Sequence, residues 1–125
     1  MVIWITGKAG AGKTTLANAL KNNLERAIVL DADEIRAIYS QDFSDIGRHT
    51  HIVNLGKLAA ILESQGYIVL VACISPKRIW RDEARSFCNK SILVYVTGGK
   101  LWPGTEYEIP TDDENHITMT GNHAN

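Results

Sequence analysis

The apolar positions fall into short continuous runs separated by stretches with helical spacing. Residues 2–6, Val-Ile-Trp-Ile-Thr, form one such run, and Leu16, Ala17, Ala19, Leu20 and Leu24 follow at helical intervals. The pattern predicts a strand over 2–6 and a helix over 13–25. A second run at 27–30 ends in Asp31-Ala32-Asp33, and residues 33–39 read as a short helix with Asp33 near its start. Residues 40–47 are polar and turn-rich, which predicts a loop. From 48 to 64, Ile52, Val53, Leu55, Leu58, Ala59, Ile61 and Leu62 give a long amphipathic helix that Gly66 ends. Strands follow at 67–73 and 92–96, with a basic helix at 77–87 between them. Residues 97–115 have no period and read as loop, 117–119 as a fifth short strand, and 121–125 as a frayed tail. Apolar runs without alternation are buried on both faces, which requires a parallel sheet between helices.

The first strand runs into Gly7-Lys8-Ala9-Gly10-Ala11-Gly12-Lys13-Thr14-Thr15, a match to G-x-x-x-x-G-K-[ST] at every fixed position. Glycines let backbone N–H groups converge on a polyphosphate, Lys13 brings a charge to the β- and γ-phosphates, and Thr14 offers a hydroxyl to Mg²⁺. Gly7, Ala9, Gly10, Ala11, Gly12, Lys13, Thr14 and Thr15 are therefore the expected ATP cradle. With the alternating elements, this predicts a three-layer α/β/α P-loop NTPase fold around a mostly parallel five-stranded sheet. The P-loop, Asp31 with Asp33, Ser75 and Gly98 each follow a strand, so all would face one crevice.

At that crevice Asp33 is read as the base that takes a hydroxyl proton and Asp31 as part of the Mg²⁺ shell. The competing reading is that one of the pair only caps the next helix. Arg36 or Arg48 can hold an anionic acceptor, or be solvated surface. Lys77, Arg78, Arg81 and Arg85 form a basic face interleaved with Asp82 and Glu83. His49 and His51 point apart on a helix and make no metal pair. Trp4 reads as core, and Trp80 and Trp102 as core or stacking platforms.

Composition narrows this further. At 125 residues the chain is read as one domain, and its net charge of −1 gives no global affinity for nucleic acid or membrane. Cys73 and Cys88 lack metal-ligand spacing and are expected as buried free thiols. No apolar stretch is long enough to span a membrane, and the N-terminus lacks a signal-peptide pattern, so a cytoplasmic setting is expected, the host's if the source is viral.

Five segments together resemble the adenylylsulfate kinases: residues 5–15, 30–36, Phe43-Ser44 with Arg48, Ile74-Ser75-Pro76 with Arg81-Asp82, and Tyr107-Glu108-Ile109-Pro110. The resemblance implies ATP and Mg²⁺ as cofactors and Asp33, Lys13 and Arg36 at the transferred phosphoryl group. It also implies an acceptor pocket of Arg36, Phe43, Arg48, His51, Ile74 and Ser75. His51 stands where that family has asparagine, and only residues 97–106 remain where it carries a helical lid, so the lid is reduced or absent. Small P-loop kinases of this kind are also similar to phage enzymes that phosphorylate 5-hydroxymethyluracil in DNA. A DNA acceptor would itself cover the open site, with Lys77, Arg78, Arg81, Arg85, Lys100 and Trp102 on its backbone and displaced base. The expectation from sequence is therefore transfer of the γ-phosphate of ATP-Mg²⁺ to that hydroxymethyl group. The alternatives are an adenylylsulfate-kinase type of enzyme acting on a nucleotide hydroxyl, and a nucleotide-binding regulator without turnover.

Overall fold

A computed structural model of the chain describes residues 1–39 and 42–121. Ser40 and Gln41 of the expected loop, and residues 122–125 of the expected tail, lie outside the described residues.

The elements run β1 (Val2–Thr6), α1 (Lys13–Asn22), β2 (Ala27–Asp31), α2 (Ala32–Tyr39), α3 (Asp45–Ser64), β3 (Ile68–Ala72), α4 (Arg78–Arg85), β4 (Ser91–Val96) and β5 (Ile117–Met119). The strands form one sheet in the order β2-β3-β1-β4-β5. Every pairing is parallel, β5 included, with Trp4 opposite Val71 on one side and Leu93 on the other. Side chains alternate across the sheet, so each strand feeds two cores. Val2, Trp4, Val69, Val71 and Leu93 pack with Ile52, Leu55 and Ala59 of α3 and Trp80 and Ala84 of α4. Ile5, Leu70, Ala72, Val94 and Val96 pack with Ala17, Leu16 and Leu20 of α1 on the opposite face. The result is the three-layer arrangement read from the sequence.

Three boundaries differ from that reading. α1 stops at Asn22, and Arg26 takes a positive φ of 56° before β2. α3 begins at Asp45 because the Ser44 hydroxyl accepts from the Gly47 N–H at 3.1 Å and caps it. A turn-rich stretch thus supplies the helix cap as well as the loop. α4 is shorter than the basic pattern suggested. It lies against α3 at Gly56, where a Cβ would stand 2.2 Å from the Ala84 carbonyl oxygen. Between β4 and β5, residues 97–116 contain no helix, only a bridge from Lys100 to Ala9. Among the described residues no helix is long and apolar enough to cross a membrane.

Candidate active site

The loop from Gly7 to Thr14 leaves β1 and enters α1, and Gly12 opens that helix at a φ of 105° that a side chain would resist. Gly7 is required for a different reason: its Cβ would lie 2.7 Å from the Val96 carbonyl oxygen of the neighbouring strand. The loop lines a cavity of about 310 Å³ together with Asp31, Asp33, Cys73 and Ile74. Lys13 Nζ donates to its own loop at Lys8 O, 2.7 Å away. Burial lowers the pKa of this amine, and Cys73, Asp33 and Asp31 partly restore it. A buried amine facing carboxylates across a glycine-lined hollow is suited to receive a polyanion.

Asp31 is the member of the aspartate pair that caps the next helix, and it also reaches the phosphate loop. Its Oδ2 accepts from the Thr14 hydroxyl at 2.7 Å, and its Oδ1 accepts from the backbone N–H of Asp33 at 2.9 Å and Glu34 at 3.4 Å. The residue caps α2 and holds Thr14 at the same time. Asp33 lies two residues further, inside the helix, and does not cap it. Among the described residues no group of three His, Cys, Asp or Glu side chains could hold a metal ion. The adjoining oxygens of Thr14 and Asp31 fit Mg²⁺, which takes few protein ligands and completes its shell with phosphate and water.

A second cavity of about 430 Å³ shares Ala9, Ala32, Asp33, Cys73 and Ile74 with the first. Its remaining wall includes Arg36, Phe43, Arg48, Ser75, Pro76 and Trp102. Arg36 lies over the Phe43 ring at 4.8 Å, and neither Arg36 nor Arg48 has a carboxylate in ion-pair range among the described residues. Two free guanidiniums beside exposed aromatic rings suit an anionic, planar ligand. A third, smaller cleft of about 200 Å³ opens beyond Thr15, between Leu16 and Ala19 of α1 and Val96, Met119 and Gly121.

Other expected site residues lie elsewhere. His51 is 2% exposed and does not line the cavity. Its Nε2–H donates to Ala32 O at 2.9 Å, so Nδ1 accepts from the Tyr39 hydroxyl, and burial lowers its pKa and keeps the ring neutral. Ser75 contributes to the cavity wall, while its hydroxyl is buried against Trp4 and Thr6. The basic face of α4 is largely consumed within the molecule. Arg81 is fully buried and paired with Glu114, Arg78 pairs with Asp113 and Asp82, and Arg85 donates to the Ser91 hydroxyl. Trp80 belongs to the core, stacked on His49 and covered by Lys77. Cys88 is only partly buried, whereas Cys73 is fully buried and both are free. The place of Cys73 on the shared wall was missed as a functional position. Its place at the end of a central parallel strand was the available signal.

A sequence model of the adenylylsulphate kinase family matches residues 1–100. A probable adenylyl-sulfate kinase of Archaeoglobus fulgidus is 44% identical, over 75% of this chain and 64% of that protein. The adenylyl-sulfate kinase of Burkholderia ambifaria is 43% identical, over 89% of this chain and 58% of its own length. The structure of Mycobacterium tuberculosis APS kinase in complex with AMPPNP and APS superposes with a TM-score of 0.67 at 28% identity, covering 77% of this chain and 61% of that one. The chain thus spans about three fifths of the length of these curated relatives.

Proposed function

The chain belongs to the adenylylsulphate kinase family, and on that premise we propose that it is an ATP-dependent kinase acting on a hydroxyl of a small anionic nucleotide, with adenylylsulphate the first candidate. The observation that carries this reading is the position of Asp33 on the wall shared by two cavities, one built for a polyphosphate and one with two unpaired guanidiniums.

In this reading Gly7 to Thr15 hold ATP by backbone N–H groups, Lys13 meets the β- and γ-phosphates, and the apolar cleft beyond Thr15 takes the purine. Thr14 and Asp31 would hold Mg²⁺, which when bound would neutralise charge on the phosphates. Arg36 and Arg48 bind the anionic groups of the acceptor, and Phe43 and Trp102 flank its base. The Asp33 carboxylate takes the proton from the acceptor hydroxyl, the hydroxyl oxygen bonds to the γ-phosphorus, and the bond from that phosphorus to the β–γ bridging oxygen breaks to release ADP.

The DNA acceptor expected from sequence loses its main support, since Arg81 and Arg85 are turned to internal partners and Arg78 is engaged by two carboxylates. What remains at the mouth is a concave pocket for a compact anion. Incubation with ATP-Mg²⁺ and either adenylylsulphate or 5-hydroxymethyluracil DNA, followed by mass spectrometry, tests the assignment. Gain of one phosphoryl group on adenylylsulphate is expected. Gain on the DNA alone would reinstate the DNA reading, and ATP binding with no product from either would favour the regulator.

A further inference from the structure

Behind the acceptor cavity, one guanidinium ties together three stretches that are far apart in sequence. Arg81 is 0% exposed. Its Nε and Nη2 donate to the two carboxylate oxygens of Glu114 at 2.8 and 2.7 Å, Nη2 also donates to Glu108 O at 2.9 Å, and Nη1 donates to Ser75 O at 2.8 Å. Ser75 has a φ of 42°, a left-handed backbone that an L side chain takes only when its surroundings impose it. The Trp4 indole N–H donates to the Ser75 hydroxyl at 3.1 Å, and the Glu108 N–H donates to Pro76 O at 2.7 Å. The Tyr107 hydroxyl meets Thr6 Oγ1 at 2.8 Å, one residue before the phosphate loop begins.

A buried ion pair gains little stability over apolar packing of the same volume. This one spends its other donors on the carbonyl of a strained residue in the cavity wall and on the strap that backs it. We propose that Arg81, paired with Glu114, is a positioning residue for the acceptor, holding Ser75 in its left-handed conformation and docking residues 107–114 behind residues 74–76. The wall opposite Arg36 and Arg48 is then fixed without any contact between Arg81 and the acceptor. The kinetic part of this inference rests on the proposed function, and the exchange part does not.

The test is Arg81→Lys, which keeps the charge beside Glu114 and loses the planar fork. Amide hydrogen exchange should accelerate about tenfold or more at residues 74–77 and 107–110 and stay unchanged in β1 and the phosphate loop. The KM for adenylylsulphate should rise about tenfold while the affinity for AMPPNP changes less than about twofold. Acceleration spread evenly over the sheet, with KM unchanged, would reduce Arg81 to general support and overturn the proposal. If Arg81→Lys does not fold, Glu114→Gln removes the charge that both Nε and Nη2 of Arg81 grip, and the same local loosening is expected. Unchanged exchange at residues 74–77 in that variant would also overturn it. Failure of the unmutated protein to phosphorylate adenylylsulphate would sink the substrate assignment and leave the exchange result to decide this one.

Discussion

Lys13 is held at a cost before any nucleotide arrives, because burial disfavours its charge and its amine turns back onto Lys8 O. Replacing it with Met should lower turnover by about 10²-fold or more, since the charge acts on the transferring phosphoryl group. Thermal unfolding should show a Tm unchanged or raised, because a buried charge is removed from the empty protein. The two aspartates should separate by phenotype. Asp33→Asn keeps the shape and cannot take a proton, so kcat should fall much more than ATP affinity. Asp31→Ala removes the grip on Thr14 and the cap of α2, so it should raise the Mg²⁺ requirement and cost about 1 kcal/mol in urea unfolding. A loss of kcat alone from Asp31→Ala, with Mg²⁺ dependence and stability intact, would refute that dual role.

At the scale of elements, the layer behind the acceptor cavity depends on how closely α3 and α4 approach. Gly56 sets that distance, since a Cβ there would lie 2.2 Å from the backbone oxygen of Ala84. No rotamer relieves a clash with backbone, so the helices must separate. Gly56→Ala should therefore destabilise by about 2–3 kcal/mol, even though alanine is the better helix former. Equilibrium urea denaturation checks this, and a stabilised variant would show that the helices are not in contact there. The sheet was legible from continuous apolar runs, because burial on both faces leaves no polar positions to alternate. The start of α3 was not, because Ser44 and Gly47 read as turn residues until one capped the other.

For the molecule as a whole, the long connection from β4 to β5 is fastened to the body by Tyr107 and Glu114. Burial raises the Tyr107 phenol from the ordinary 10 to about 12, against a smaller opposing effect of Thr6. Burial likewise raises the Cys73 thiol from 9.0 to about 11. Both groups fold better protonated. Their contribution is complete below the unfolded pKa values and is lost as pH rises, through 9 to 11 for Cys73 and 10 to 12 for Tyr107. Stability should therefore fall steeply in alkali, with Tyr107 responsible for at most about 2–3 kcal/mol. Tyr107→Phe should be slightly less stable at neutral pH and lose less between pH 10 and 12. Parallel denaturation curves for the two proteins across that range would show that the phenol is not buried in solution.

The order of residues alone specifies the phosphate loop and the parallel sheet. Both are local: the residues that cradle an anion are consecutive, and a strand covered on two faces is apolar along its own length. It also placed Asp31, Asp33, Arg36 and Arg48 at strand ends and helix starts, where a parallel sheet gathers its chemistry. Which charges are available to a ligand depends on how distant segments pack. Arg81 and Arg36 look alike in the sequence, yet one meets Glu114, 33 residues away, and the other meets no carboxylate among the described residues and lies over an aromatic ring. His51 stood in a family's substrate position and became a neutral core residue because Tyr39 and Ala32 O enclose it. Whether a charge is spent or free depends on desolvation and on partners brought from distant segments, and neither is written in the neighbouring residues.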